Sequence, residues 1–316
     1  MRDRYKLIIL AVAAIVITAV FLGKGLNADN YQFFLSRRSP KVLAIIFASI
    51  AIAVSSLIFQ TITNNRILTP SIMGFDSLYL LTQVLIVSLF GGMSSLFIDA
   101  KLNFLASTTL MMLFSTILFG LYFRKKGANI FSLLLVGVVC GSLFDSIAQF
   151  LMMVMDPNEF MNVQDSMFAS FNNVNGELVY WSMFPLALIL IYLFKVASTL
   201  DVFWLGKDNA TSLGINTDKV VRKMMFVIAL LISISTALIG PVLFFGLIVV
   251  ALTRQLFSSY QHSVLVTATS LLAVVMLLGG QWVVENLLGF QTTISVIINF
   301  FGGIYFLFLL LRNKLN

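Results

Sequence analysis

The sequence contains very little charge. Only 10% of its 316 residues are Asp, Glu, Lys or Arg, whereas soluble proteins average about 25%. Hydrophobic residues make up 59% of the chain, and the mean hydropathy is +1.00. A soluble domain of this length could not bury so much apolar surface. The composition therefore excludes a soluble protein and predicts one that lies in a lipid bilayer.

Cysteine and histidine are almost absent. Because Cys140 is the only cysteine, no disulfide within the chain is possible, and we expect Cys140 to be a packing residue. The single histidine, His262, cannot form a histidine or cysteine metal cluster. The sequence has no Gly-x-x-x-x-Gly-Lys-Ser/Thr phosphate loop, and no Ser-His-Asp set can be assembled around His262. We therefore expect no catalytic residues, no metal site and no cofactor.

Ten apolar runs separated by short polar breaks predict an all-α membrane protein with about ten transmembrane helices, since each crossing needs roughly 20 residues. The first run follows a basic segment like a signal peptide, but no small-residue cleavage site precedes Lys24, which favours a retained helix. Gly240-Pro241 separates the seventh and eighth runs, with one long kinked helix as the alternative. The predicted spans are residues 6–22, 40–63, 71–91, 100–123, 129–154, 178–197, 220–239, 241–257, 263–284 and 292–311.

The basic residues indicate how the chain is oriented. The net charge of +7 does not indicate a nucleic-acid partner, because the 20 Lys and Arg residues lie in short loops. With both termini in the cytoplasm, most of them fall on the inner side, as the positive-inside rule requires. Arg124-Lys125-Lys126 is the densest inner cluster. The outer side then holds Lys24, Arg37, Arg38, Lys41 and Lys101, together with an acidic loop that contains Asp156, Glu159, Asp165 and Glu177.

Three charged features allow two interpretations each. The outer basic cluster of Arg37, Arg38 and Lys41 is either a set of side chains that snorkel to the lipid headgroups or a docking patch for an acidic partner. Asp145, in the middle of a span, is either a hydrogen-bonded structural group or a proton or ion site. Glu285, near the outer end of the ninth span, is expected to lie in interfacial water rather than to form an intramembrane site of this kind.

The inner loop over residues 199–219 is longer than a helix connection needs. Leu205, Ala210 and Leu213 have helix-compatible spacing, and Gly206 and Gly214 flank a short predicted helix. A structured loop on such an apolar protein indicates contact with a soluble partner. An amphipathic helix that lies on the lipid surface is an equal alternative from the residues alone.

At this loop the chain resembles the iron-siderophore and vitamin B12 permease family of ABC importers. The pattern Leu-Gly-x-x-x-Ala-x-x-Leu-Gly is similar to that family's ATPase-coupling segment. A run beginning at Gly240-Pro241 and continuing through Gly246 to Arg254 resembles a second motif of the family. Further upstream, the positions that match family motifs are Gln60, Asn65, Pro70 and Gly74. The resemblance covers about residues 35–312.

The resemblance implies a type II ABC importer permease: a single transmembrane domain over residues 1–316 with a cytoplasmic coupling loop at about 199–219. It implies import of a ferric siderophore across the bacterial cytoplasmic membrane. The implied partners are cytoplasmic ATPase subunits, an extracytoplasmic substrate-binding protein and a second permease subunit. The residues implied for ATPase coupling are Leu205, Gly206, Ala210, Leu213 and Gly214; those for the translocation path or helix breaks are Gln60, Asn65, Pro70, Gly74, Gly240, Pro241 and Gly246; those for binding-protein docking are Arg37, Arg38 and Lys41.

The chain departs from the family pattern at several positions. Arg66 replaces a proline, and Val250-Ala251 stands where Pro-His is common. Arg38-Ser39-Pro40-Lys41 is a weakened form of the Arg-x-Pro-Arg docking motif. These departures favour a non-identical second permease over an identical one, or a binding protein with altered charges.

Two other functions fit the sequence. One is the same architecture with heme or cobalamin as the cargo. The other is an ion-coupled secondary transporter that uses Asp145 and needs neither an ATPase nor a binding protein.

Overall fold

The structure is a computed structural model that describes residues 2–27, 29, 31–122, 130–172 and 174–314, and within these ranges all regular structure is helical. The Arg124-Lys125-Lys126 cluster lies outside the described residues. A 3₁₀ helix at Pro70–Met73 joins α2 to α3. The α-helices are α1 (Arg2–Gly23), α2 (Tyr31–Thr63), α3 (Phe75–Phe90), α4 (Ser95–Ile98), α5 (Ala100–Tyr122), α6 (Ile130–Val154), α7 (Pro157–Ser166), α8 (Gly176–Phe203), α9 (Lys207–Ser212), α10 (Thr217–Ile239), α11 (Phe245–Leu256), α12 (His262–Asn286) and α13 (Ile294–Lys314).

The predicted all-α membrane fold is confirmed. Among the described residues, seven helices are long and apolar enough to cross a membrane, and α3, α11 and the described part of α13 are shorter apolar helices. Each of the ten predicted spans corresponds to one of these helices. The break at Gly240-Pro241 is also confirmed, because α10 ends at Ile239 and α11 begins only at Phe245. One long kinked helix is therefore the wrong alternative.

The boundaries differ from the prediction at several places. Helix α2 begins at Tyr31 rather than at residue 40, and Pro40 lies inside it. The polar segments predicted as plain loops contain α4 and α7. Helix α7 begins here because of local signals. The Asp156 side chain accepts a hydrogen bond from the backbone N–H of Asn158, and Pro157 occupies the first turn.

Helix α2 lies at the centre of the bundle. Most of its side chains from Val42 to Thr63 are buried, and it packs most extensively against α10 and α12. The hydroxyl groups of this buried stretch donate to carbonyl oxygens three or four residues back, as Ser56 does to Ile52 at 2.9 Å and Thr61 to Leu57 at 2.9 Å. The buried hydroxyls thus find partners inside the helix, where no water is present to supply them.

Two glycines allow α6 to approach the backbone at the start of α3. A Cβ atom built on Gly74 would lie 2.6 Å from the Cα of Gly141, and one built on Gly141 would lie 2.9 Å from the Cα of Gly74. Gly74 also has a φ of 84°, a left-handed conformation that favours glycine. Close approach of small residues is a main source of helix association in membranes, where lipid removes most of the hydrophobic driving force.

We therefore expect Gly141→Ala to lower the thermal unfolding midpoint of the detergent-solubilised protein, because the added methyl group meets backbone. Overpacking of this kind costs about 1–3 kcal/mol. Gly279→Ala is the matched control in α12: its Cβ would lie 3.9 Å from Ile17 Cδ1, and alanine favours a helix over glycine. An equal effect of the two substitutions on the midpoint would contradict the role of the Gly74–Gly141 contact.

Candidate functional site

The predicted coupling segment forms a short helix that is capped at its C-terminal end. Helix α9 lies between α8 and α10 and begins after Gly206, which has a φ of 97°. At its other end the backbone N–H of Ile215 donates to the carbonyl of Ala210 at 3.1 Å, and that of Gly214 to Thr211 at 2.9 Å. This pair of bonds is a Schellman motif, with Gly214 as its left-handed residue at a φ of 85°. The expectation that glycines flank a helix here is confirmed.

The three apolar residues of this segment do not share one surface. Leu205 and Leu213 are 58% and 64% exposed, whereas Ala210 is fully buried against the chain's own core. Ala210, which the family resemblance groups with the two leucines for ATPase coupling, therefore does not form part of the exposed surface. Ala210 lies within the six-residue helix α9 and faces α8 and α10. Leu205 and Leu213 lie just outside the two ends of α9 and are exposed.

The positions predicted as helix breaks lie at two separate helix contacts. Gln60 is buried near the end of α2, and its backbone carbonyl accepts from the N–H of Asn65 at 3.1 Å. Pro70 then begins the 3₁₀ helix that leads to Gly74 and its contact with α6. The first predicted set therefore forms one continuous turn from α2 into α3.

The second set lies between α10 and α11. Gly240 has a φ of 91°, and a Cβ atom there would lie 3.0 Å from the Cα of Ala169. Pro241 follows in the non-helical stretch. Gly246, in the first turn of α11, lies directly against Ser56 of α2. Both breaks are thus covered by protein, which is where non-helical backbone is tolerated at membrane depth.

The predicted outer basic cluster is divided among different contacts. Arg37 is exposed, with its guanidinium 4.9 Å from the centre of the Phe33 ring. Arg38 is half-buried and donates to the backbone carbonyls of Leu22 and Lys24. Of the two arginines, Arg37 is the one whose side chain extends into the surroundings.

Lys41 is engaged within the protein. Its Nζ lies 2.5 Å from Glu285 Oε1 and 2.8 Å from Asn172 Oδ1, and it also faces the ring of Phe290 at 5.5 Å. The two charged side chains are only 16% and 18% exposed. The expectation that Glu285 lies in interfacial water is therefore corrected: it forms a largely buried ion pair that joins α2 to α12.

Sequence reasoning also missed a network around the lone histidine. His262 is fully buried at the start of α12. Its backbone N–H and its Nδ1 lie 2.5 and 2.7 Å from Asp201 Oδ1 at the end of α8, and its Nε2 lies 2.9 Å from Thr61 Oγ1 in α2. Asp201 and His262 are 61 residues apart, so no local motif could indicate the pair. The network ties three helices together at one end of the bundle.

These features define a polytopic helical membrane protein with covered helix breaks and a short helix, α9, at one end of the bundle. Residues 5–312 match the FecCD transport family, and the chain belongs to this family. It is 48% identical over 314 residues to the petrobactin import system permease protein YclO of Bacillus subtilis, covering 99% of both chains. It is 32% identical to the petrobactin import system permease protein FatC of Bacillus anthracis, over 92% of this chain and 82% of that one.

A solved structure has the same fold. The inward-facing conformation of a metal-chelate type ABC transporter superposes with a TM-score of 0.84 at 21% identity, covering 98% of this chain and 99% of that one. The predicted fold is thereby confirmed.

We expect the Lys41–Glu285 pair to stabilise the contact between α2 and α12. A double-mutant cycle with Lys41→Met and Glu285→Gln, measured by thermal denaturation in detergent, should give a coupling free energy above about 1 kcal/mol, because removing one partner leaves the other largely buried and unpaired.

The matched control is Lys101–Glu177, an ion pair of similar length at 2.7 Å whose side chains are 51% and 52% exposed. The cycle of Lys101→Met and Glu177→Gln should give about 0.2–1 kcal/mol, as exposed pairs do. Equal coupling in the two cycles would show that burial of Lys41 and Glu285 adds nothing.

Proposed function

We propose that this chain is the permease subunit of an ATP-driven importer that moves a ferric siderophore across the bacterial cytoplasmic membrane. The observation that carries the proposal is the 48% identity, over 99% of both chains, to a permease of a petrobactin import system. FatC, at 32% identity, is named for import of the same compound. Heme or cobalamin remains the alternative cargo for this architecture.

In this proposal the segment 199–219 couples the permease to a cytoplasmic ATPase. Leu205 and Leu213 are exposed apolar side chains just outside the two ends of α9. Helix α9 is anchored between α8 and α10 through Ala210 and the Schellman motif. A force on α9 is therefore passed to two long helices, and an ATPase that binds one arrangement better than the other shifts the permease between states. This placement puts both termini in the cytoplasm.

On the opposite face an extracytoplasmic binding protein delivers the siderophore. The docking role predicted for Arg37, Arg38 and Lys41 then rests mainly on Arg37, because Lys41 is paired with Glu285 and Arg38 with backbone carbonyls. An exposed cation mainly steers a partner of opposite charge. A second permease subunit, identical or, in better agreement with the reduced docking patch, a non-identical paralogue, completes the path.

The coupling proposal predicts that Leu213→Asp leaves the protein in the membrane but lowers ATP-dependent uptake at least about tenfold, because a carboxylate is costly to bury in an apolar contact. The measurement is uptake of iron-labelled petrobactin in cells that contain the ATPase and the binding protein, normalised to the amount of permease. Leu213→Met, which keeps volume and polarity, is the matched control. Uptake by Leu213→Asp at the level of Leu213→Met would refute the coupling role.

A second candidate, an ion-coupled transporter, is favoured by one observation. Asp76 in α3 and Asp145 in α6 lie on two helices that pack against each other, and one carboxylate oxygen of Asp76 is buried with no hydrogen-bond partner among the described residues. Two acidic groups at membrane depth are typical of proton or cation pathways.

The two functions are separated by Asp145→Asn, which keeps shape and hydrogen-bonding capacity but removes the titratable proton. The permease proposal predicts that this variant keeps most of its uptake, and that uptake by the wild type survives an uncoupler when ATP is held constant. Loss of uptake in both experiments would replace the ATP-driven proposal with the ion-coupled one.

A further inference from the structure

Two arginines face one tryptophan in a cleft beside the coupling segment. The cleft has a volume of about 260 Å³, and its polar lining comes from Arg66, Arg254, Ser258, Ser259 and Tyr260. Trp204, the residue before Leu205, forms its aromatic wall. The guanidinium carbon of Arg254 lies 4.1 Å from the centre of the indole ring, and that of Arg66 lies 5.3 Å from it. Both guanidinium groups therefore lie within cation–π distance of the Trp204 ring.

Within the part of the chain that the structure describes, no carboxylate lies within 4.0 Å of either guanidinium group in this cleft. Nε and one terminal nitrogen of Arg254 are buried and have no hydrogen-bond partner there. Neither arginine forms an ion pair with a described carboxylate. Asp201, the acidic residue near this end of α8, accepts two hydrogen bonds from His262 through one carboxylate oxygen. Buried donors of a charged group are costly to leave unpaired.

The cleft lies at the level where helices end. Helices α2, α8 and α11 end around it, at Thr63, Phe203 and Leu256, and α12 begins there at His262. Trp and Tyr side chains such as Trp204 and Tyr260 are enriched at the membrane–water interface. Basic pockets between transmembrane helices at this level are suited to lipid headgroups.

We propose that Arg66 and Arg254 form a binding site for a phosphate group. The planar guanidinium donates pairs of hydrogen bonds that match phosphate oxygens. The hydroxyl of Ser259, which accepts from the backbone N–H of Gln261 at 3.2 Å, keeps its own hydrogen for a further bond. The phosphate comes either from the headgroup of an anionic phospholipid or from free phosphate. The proposal does not depend on which substrate the permease carries.

The test uses the full-length chain, purified in a neutral detergent, with Trp181→Phe and Trp282→Phe so that Trp204 alone reports by fluorescence. The probes are dioctanoyl phosphatidylglycerol, dioctanoylglycerol, which lacks the phosphate, and inorganic phosphate. We expect saturable binding of phosphatidylglycerol and none of dioctanoylglycerol. Arg254→Gln and Arg66→Gln should each weaken the binding at least about tenfold. A tenfold loss of affinity corresponds to the weakest hydrogen bonds that charged groups usually form.

Lys223→Gln, which removes an exposed positive charge from the first half of α10, is the matched control and should bind as the wild type does. If Arg254→Gln does not purify as a single species, Arg66→Gln decides, because Arg66 lies in the turn after α2. Binding of inorganic phosphate with the same arginine dependence supports a site for free phosphate; binding of phosphatidylglycerol alone supports a lipid site.

Three results would overturn the proposal. One is equal binding of phosphatidylglycerol and dioctanoylglycerol. Another is binding by both arginine variants that matches Lys223→Gln. The third is failure of both phosphatidylglycerol and inorganic phosphate to bind the wild-type chain.

Discussion

The structure depends on the packing of one helix, α2, which other protein helices rather than lipid surround. Because lipid is as apolar as the side chains of α2, contact with lipid would give the helix no fixed position. Its position comes instead from close contacts, such as Gly246 of α11 against Ser56, and from polar bonds near its two ends. Lys41 joins α2 to α12 through Glu285 near one end, and Thr61 joins it to His262 near the other. The helix is therefore tied to α12 at both faces of the bundle.

This arrangement explains where the helix breaks can lie. A non-helical backbone at membrane depth needs protein around it. The turn after α2 is covered by α6 at Gly74 and Gly141, and the break before α11 is covered at Gly240 by the segment that contains Ala169. Both breaks adjoin helices that contact α2. A movement of α2 or α10 therefore displaces the non-helical residues of both breaks. The proposed coupling through α9 uses the same route, since α9 is anchored to α8 and α10, and both of those helices pack against α2.

Much of this fold could be predicted from the sequence, because the bilayer requires long apolar runs and their number and order are visible directly. The break at Gly240-Pro241 and the glycines around α9 were also predictable, since proline and left-handed glycine act locally. What failed depended on distant residues. Nothing near Ala210 indicates that it is buried rather than exposed, and Lys41 and Glu285 are separated by most of the chain. The start of α2 at Tyr31 is not evident from the sequence, because a polar segment before an apolar run suits a loop as well as the end of a helix outside the hydrocarbon layer.

The basic residues show most clearly that contacts with distant residues cannot be predicted from the sequence. Counted by side, they are signals of orientation, and such a count treats them as equivalent. In the structure they differ by surroundings: Arg37 is exposed, Lys41 is neutralised by Glu285, and Arg254 is stacked on Trp204 with buried nitrogens that have no partner in the described chain. An exposed cation steers a partner, a paired cation stabilises the fold, and a buried unpaired cation requires an anion. Burial and pairing, rather than position in the sequence, therefore decide which arginine or lysine serves function.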